Sequence, residues 1–114
     1  MPVEIVVTHE FVHWWESLDE DEQVSVRAVV DLLENLGVTL DFPYSTKIVH
    51  SRKLRELRIQ PAGSPYRVLY AFDPARNAVL LVGGKKTGND RWYEEYVPWA
   101  EKTFADYLRE TGQS

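Results

Sequence analysis

With 114 residues, 44% of them hydrophobic and 27% charged, the chain is sized for a single hydrophobic core, and one domain spanning residues 1–114 is expected. The absence of cysteine excludes disulfides, thiolate metal sites and thiol catalysis, and no apolar run approaches the ~20 residues of a membrane span. The net charge of -5 argues against a nucleic-acid partner only as an average: residues 47–91 hold ten basic and three acidic residues, while the rest holds three basic and fifteen acidic ones.

Residues 3–8, Val-Glu-Ile-Val-Val-Thr, form a β-branched run that reads as a strand. At 100° per residue Phe11, Val12, Trp14, Trp15 and Leu18 then share one broad apolar arc of a helix, with His9, His13 and Glu16 on the other side. Asp19 is placed to cap a second helix, with Glu22 three residues on completing a capping-box pattern. Val26, Val29, Val30, Leu33 and Leu36 make that helix's buried stripe, and Gly37 is a natural stop. A connector from Val38 to Lys53 contains Pro43, which prevents continued helix.

Leu54 to Ile59 alternates as a strand, Leu57 and Ile59 sharing a face with Arg55, Glu56 and Arg58 sharing the other. After the turn at residues 60–65, Tyr66, Val68, Tyr70 and Phe72 form the apolar face of a further strand, with Arg67 on the opposite face. Asp73-Pro74-Ala75-Arg76-Asn77 is a hairpin turn, and Ala78 to Val82 is a continuous apolar strand expected in the interior of a sheet. It runs into Gly83-Gly84-Lys85-Lys86-Thr87-Gly88, expected to be a flexible turn presenting two ammonium groups. Pro98, acceptable in a first turn, opens the last helix, in which Trp99, Phe104, Tyr107 and Leu108 can be buried. The order β-α-α-β-β-β-α is α+β: an N-terminal helical hairpin and a C-terminal helix packed on a mostly antiparallel sheet.

Two motifs invite a mechanistic reading. His9-Glu10-Phe11-Val12-His13 spells the H-E-x-x-H of zinc peptidases, in which both histidines face one metal. Here they lie opposite the apolar arc and should face water, and a third ligand would have to come from Asp31 or Glu34. Gly83 to Gly88 resembles a phosphate loop, but G-x-x-x-x-G-K-[ST] requires glycine where Val79 stands and Ser or Thr where Lys86 stands. Neither a metal nor a cofactor is expected. What converges is Arg58, Arg67 and the Lys85-Lys86 turn. They come from three successive strands, and sequential pairing would gather them on a cationic face opposite the helices, able to stabilise the extra charge on a phosphate during strand cleavage.

The series Glu10-Phe11 with Trp14, Pro43-Tyr44-Ser45 with Lys47, Leu54-Arg55-Glu56-Leu57-Arg58, Tyr66 to Phe72 and Leu80 to Thr87 spans nearly the whole chain. In that order it resembles the RelE/ParE toxin superfamily, in particular its phage-derived, HigB-like branch. The resemblance implies a RelE-like fold and a toxin of a type II toxin-antitoxin pair, commonly a ribosome-dependent endoribonuclease that cuts messenger RNA. It implies as partners the ribosome, messenger RNA and a cognate antitoxin of helix-turn-helix type, and with no span or secretory leader a cytoplasmic location and no membrane. By position it carries the scissile-phosphate arginine to Arg67, basic positions to Arg58 and to Lys85 or Lys86, and a C-terminal tyrosine to Tyr93. Lys47, Arg55 and Arg91 would then contact RNA. The chain departs from the cleaving members in having Glu56 and Arg58 where they have lysines. Since arginine is no base near neutral pH, the base would be a lysine at 85 or 86, or the ribosome would supply it. Other readings are a ParE-like, non-catalytic inhibitor of DNA gyrase and the zinc peptidase.

Overall fold

A computed structural model describes residues 2–88 and 91–114. The chain folds in the order β1 (Ile5–Val7), α1 (His9–Glu16), α2 (Glu20–Leu36), β2 (Ser45–Lys47), β3 (Arg55–Ile59), β4 (Tyr66–Phe72), β5 (Ala78–Lys85) and α3 (Trp92–Glu110). The five strands form one sheet in the order β1-β5-β4-β3-β2, in which β1 runs parallel to β5 and the other pairs are antiparallel. This is the α+β architecture expected from the sequence. Among the described residues no helix is long and apolar enough to cross a membrane.

Strand alternation sends side chains to two cores, one on each side of the sheet. Leu57, Ile59, Val68, Tyr70 and Leu80 pack beneath α1 and α2, against Phe11, Val26, Val29 and Leu33. Leu69, Ala71, Val79 and Leu81 pack against Trp92, Phe104 and Leu108 of α3. Helix α1 is seated by Thr8, whose hydroxyl accepts from the Phe11 amide while lying 2.9 Å from the carbonyls of both Leu80 and Leu81 on β5. The capping box of α2 forms as expected: the Glu22 amide donates to the Asp19 carboxylate, and the Asp19 amide donates to Glu22. The other Glu22 oxygen accepts from the Tyr66 hydroxyl, fastening that turn to β4.

Three expectations need correction. The connector from Val38 to Lys53 contains a strand, β2, which pairs with β3 and is anchored by the buried Ser45 on the Tyr70 hydroxyl, 2.6 Å away. The last helix begins at Trp92, six residues before Pro98, which lies in its interior. A proline inside a helix costs about 3 kcal/mol, but burial of a large apolar side chain returns about 1.5–3 kcal/mol each. The turns before Pro98 carry the fully buried Trp92, with Tyr93, Tyr96 and Val97 packed on the same core. Finally, β5 continues through Gly83 and Gly84 to Lys85, so the glycines are strand residues rather than a flexible turn. A Cβ on Gly83 would overlap the Trp14 ring, and one on Gly84 would come within 2.8 Å of Tyr96 and 2.9 Å of Trp92. Aromatic rings from α1 and α3 thus press on the backbone from both sides, and only glycine leaves them room.

Candidate active site

The registers of the central strands set the site. Arg58 on β3 stands opposite Arg67 on β4, and Arg67 stands opposite Gly84 on β5, so this row crosses the sheet on its α3 side. Glu56, two residues before Arg58, projects from the same face. One of its oxygens lies 3.2 Å from Nε of Arg67 and accepts a 2.6 Å hydrogen bond from the Tyr93 hydroxyl; the other accepts from the Thr46 hydroxyl at 2.8 Å. Arg67 also donates from a terminal nitrogen to the Tyr66 carbonyl at 3.0 Å. Its Nε–H is not directed at the Glu56 oxygen, so that contact is an ion pair rather than an aligned hydrogen bond. Glu56 is 5% exposed and Arg67 6%, so two opposite charges are withdrawn from water together.

Tyr93 reaches this pair from the first turn of α3. Burial, followed by its hydrogen bond to Glu56 and the charge of that carboxylate, pushes its phenol above the usual tyrosine value, partly opposed by Arg67. It therefore holds its proton at neutral pH. The Lys86 ammonium lies 5.4 Å from the centre of the Tyr93 ring, within the range of a cation–π contact. Beside Glu56 and Tyr93 opens a cleft of about 510 Å³ between α3 and the segment after β2, with Lys47, His50, Glu94 and Pro98 on its walls. Chemically the arrangement offers a protonated phenol on the wall of the cleft with a buried arginine, a half-buried arginine and an ammonium behind it: charge to receive an oxyanion, and a proton to deliver.

Of the residues expected to form the site, Arg58, Arg67, Lys86 and Tyr93 come together. Lys47 stands exposed on the rim of the cleft. Lys85 does not join them: it is in register with Tyr66, whose ring belongs to the α1–α2 core, and alternation turns it to that side. Arg55 also points there, its Nε 3.1 Å from the Ser45 hydroxyl and 3.3 Å from the Tyr70 hydroxyl, with Asp41 at 4.0 Å. Arg91, just before α3, is exposed and pairs with Glu94 at 3.0 Å. The open cationic face is corrected as well, because α3 covers that side of the sheet and Glu56 neutralises Arg67. His9 and His13 are exposed, as the helical projection requires, and among the described residues no three His, Cys, Asp or Glu side chains group closely enough to hold a metal ion.

Sequence reasoning passed over Glu56 and Thr46 as members of the site. The signal was present: alternation already put Glu56 on the face of Arg58, and a carboxylate among buried cations has to be a partner of one of them. Thr46 gave no such signal, because a three-residue polar strand has no pattern to read.

Three comparisons bear on this geometry. Residues 13–105 match the family model described as phage derived protein Gp49-like. Two Mycobacterium tuberculosis proteins named as toxins are similar. The one called HigB3 is 40% identical over 107 residues, which cover 91% of this chain and 92% of HigB3. HigB2 is 37% identical over 99 residues, which cover 83% of this chain and 49% of that longer protein. Among solved structures, a double arginine mutant of E. coli toxin RelE in the free state superposes with a TM-score of 0.63 over 86% of this chain and 98% of RelE. At 10% identity it speaks for the fold alone. The chain belongs to the phage-derived Gp49-like family, it is similar to the HigB-type toxins of M. tuberculosis, and its fold is RelE-like.

Proposed function

We propose that the chain is the toxin of a type II toxin-antitoxin pair and that it cleaves messenger RNA on the ribosome without a metal ion. The observation that carries the reading is the protonated Tyr93 hydroxyl held on Glu56 beside Arg67, with Arg58 opposite Arg67 on the neighbouring strand and Lys86 over the Tyr93 ring. In this reading the ribose 2′-hydroxyl gives its proton to a base that the ribosome supplies, its oxygen bonds to the adjacent phosphorus to form a 2′,3′-cyclic phosphate, and the bond to the 5′-oxygen breaks, that oxygen leaving as a hydroxyl. Arg58, half-buried, meets the phosphate directly, while Arg67 adds its field from beneath the surface, tempered by Glu56. Tyr93, whose hydroxyl shares a Glu56 oxygen with Arg67, is the protonated group of the site and serves the leaving oxygen. Lys86, not Lys85, is the lysine on the right side of the sheet to assist. The names of the M. tuberculosis relatives support the toxin reading; such a toxin requires a cognate antitoxin to silence it, and the family resemblance of the sequence implies one of helix-turn-helix type.

The test is incubation of the purified chain with translating ribosomes and mapping of new 5′ ends. Cleavage is expected, and Arg58→Ala is expected to lower its rate on the order of a hundredfold, the usual effect of removing one donor to a developing oxyanion. Intact messenger together with inhibited supercoiling by purified DNA gyrase would overturn the reading in favour of a non-catalytic inhibitor.

A further inference from the structure

The helical hairpin carries a charge pattern for which the active site has no use. Between His9 and Leu36 stand eight carboxylates and one basic residue, Arg27. Glu20, Asp21 and Glu22 are explained locally by the capping box and the positive end of the α2 dipole. Asp31 and Glu34 lie far beyond that first turn and gain nothing from it. Both are exposed, on the rim of a groove of about 330 Å³ between α1 and α2. The groove opens where β1 forms the edge of the sheet, and Val7, Val12, Trp15 and Val30 give it an apolar lining. Val7 is 48% exposed. Arg27, the single Lys or Arg of the hairpin, also lines this groove and pairs with Asp31 at 3.2 Å, so Glu34 is the rim carboxylate left uncompensated and the excess of acids along the hairpin supplies the rest of the negative field. An apolar slot with an acidic rim is a surface shaped for a partner of opposite charge.

We propose that the cognate antitoxin docks in this groove through an amphipathic segment, its apolar side chains between Val7, Val12 and Val30 and its lysines or arginines against Asp31 and Glu34. The inference rests on the toxin-antitoxin reading above and names the surface which that reading leaves open. Charge decides between occupants. RNA is repelled by the carboxylates, and a second copy of this chain would set one acidic rim against another. The groove and the Arg58–Arg67 row lie on opposite sides of the sheet, so the antitoxin seats away from the reacting residues.

The purified helix-turn-helix protein encoded in the adjoining reading frame is titrated calorimetrically onto the full chain and onto three variants. Asp31→Lys/Glu34→Lys reverses the rim, Val7→Thr keeps the β-branched strand residue but removes apolar lining, and Phe42→Ser alters an exposed apolar residue outside the groove. The rim reversal is expected to weaken binding on the order of tenfold or more, and Val7→Thr several-fold, because charge complementarity and a buried apolar contact are both lost. Phe42→Ser should bind as the unmodified chain does, and all three variants should cleave messenger RNA at its rate. Unchanged affinity in the rim and Val7 variants, or loss of binding in Phe42→Ser, overturns the groove while leaving the toxin reading intact. If the unmodified chain binds no such protein, the toxin-antitoxin reading fails and the inference fails with it.

Discussion

Glu56 and Arg67 hold each other in place where neither would be tolerated alone, and this decides how variants of the site should be read. Removing one member of a buried ion pair typically costs about 3–5 kcal/mol, because the other charge is left uncompensated. Glu56→Ala is expected to fall in that range by urea denaturation, and the double variant Glu56→Ala/Arg67→Ala to cost clearly less than the sum of the two single changes. Additive costs would show that the two charges are screened from one another. For the same reason activity lost in Arg67→Ala mixes chemistry with stability, and Arg58, half-buried and outside that pair, is the cleaner probe. Tyr93 can be separated more sharply. A phenol whose folded pKa is raised contributes stability below its ordinary value of 10.0 and loses it as pH rises through the folded value, so at neutral pH the contribution is fully present. Tyr93→Phe removes one donor to Glu56 and should cost about 1.5–3 kcal/mol, while a loss of proton transfer should lower cleavage on the order of a hundredfold. Cleavage preserved in a folded Tyr93→Phe protein would leave Tyr93 only a positioning role.

The elements show where sequence patterns suffice and where they do not. Gly83 and Gly84 read as flexibility because a glycine pair between an apolar strand and two lysines has that local meaning. The constraint that fixes them is tertiary: Trp14 arrives from α1 and Trp92 and Tyr96 from α3, on opposite faces of β5. Gly83→Ala is therefore expected to destabilise by about 1–3 kcal/mol, the usual cost of overpacking, and Trp14→Leu should recover part of that loss in the double variant. A neutral Gly83→Ala would mean that the Trp14 ring slides away freely. The capping box of α2, its valine stripe and the alternation of β3 and β4 were legible because each is a local rule expressed over several residues. β2 was not, since its three residues are too few and too polar to show a period. The start of α3 was missed because Pro98 offers a strong local boundary, while the competing burial of Trp92 depends on a sheet face that has no signature near residue 92. The same gap explains why the site was legible as a set of cations and not as a paired, covered site: Glu56 was visible, but the helix that brings Tyr93 to it was expected to begin further on.

Across the whole molecule the two cores make the sheet a partition, with an acidic hairpin on one side and the arginine row on the other beneath the first turn of α3. Whatever holds α3 down therefore holds the site together. Its far end is fastened to the β4–β5 turn by Asp73, which is 4% exposed and accepts from the Tyr107 hydroxyl at 2.8 Å, from the Gln113 side chain at 3.1 Å, and from Asn77 through its amide at 2.8 Å and its side chain at 3.1 Å. Burial alone would raise the pKa of this carboxyl. The Asn77 backbone amide and the side-chain donors Tyr107, Asn77 and Gln113 together outweigh burial and hold it below its ordinary 3.8. A carboxyl with a depressed folded pKa stabilises the fold fully above the unfolded value, and that contribution is lost as pH falls through the folded one. Asp73→Asn is therefore expected to cost about 2 kcal/mol near neutral pH, in keeping with hydrogen bonds to a charged acceptor. The difference between variant and unmodified chain should narrow as pH falls below 3.8. Urea midpoints measured from neutral pH down through that range test the sign directly. A gap that stays constant with pH would assign the latch to hydrogen-bond geometry alone, and a gap that widens on acidification would reverse the linkage derived from the four donors around Asp73.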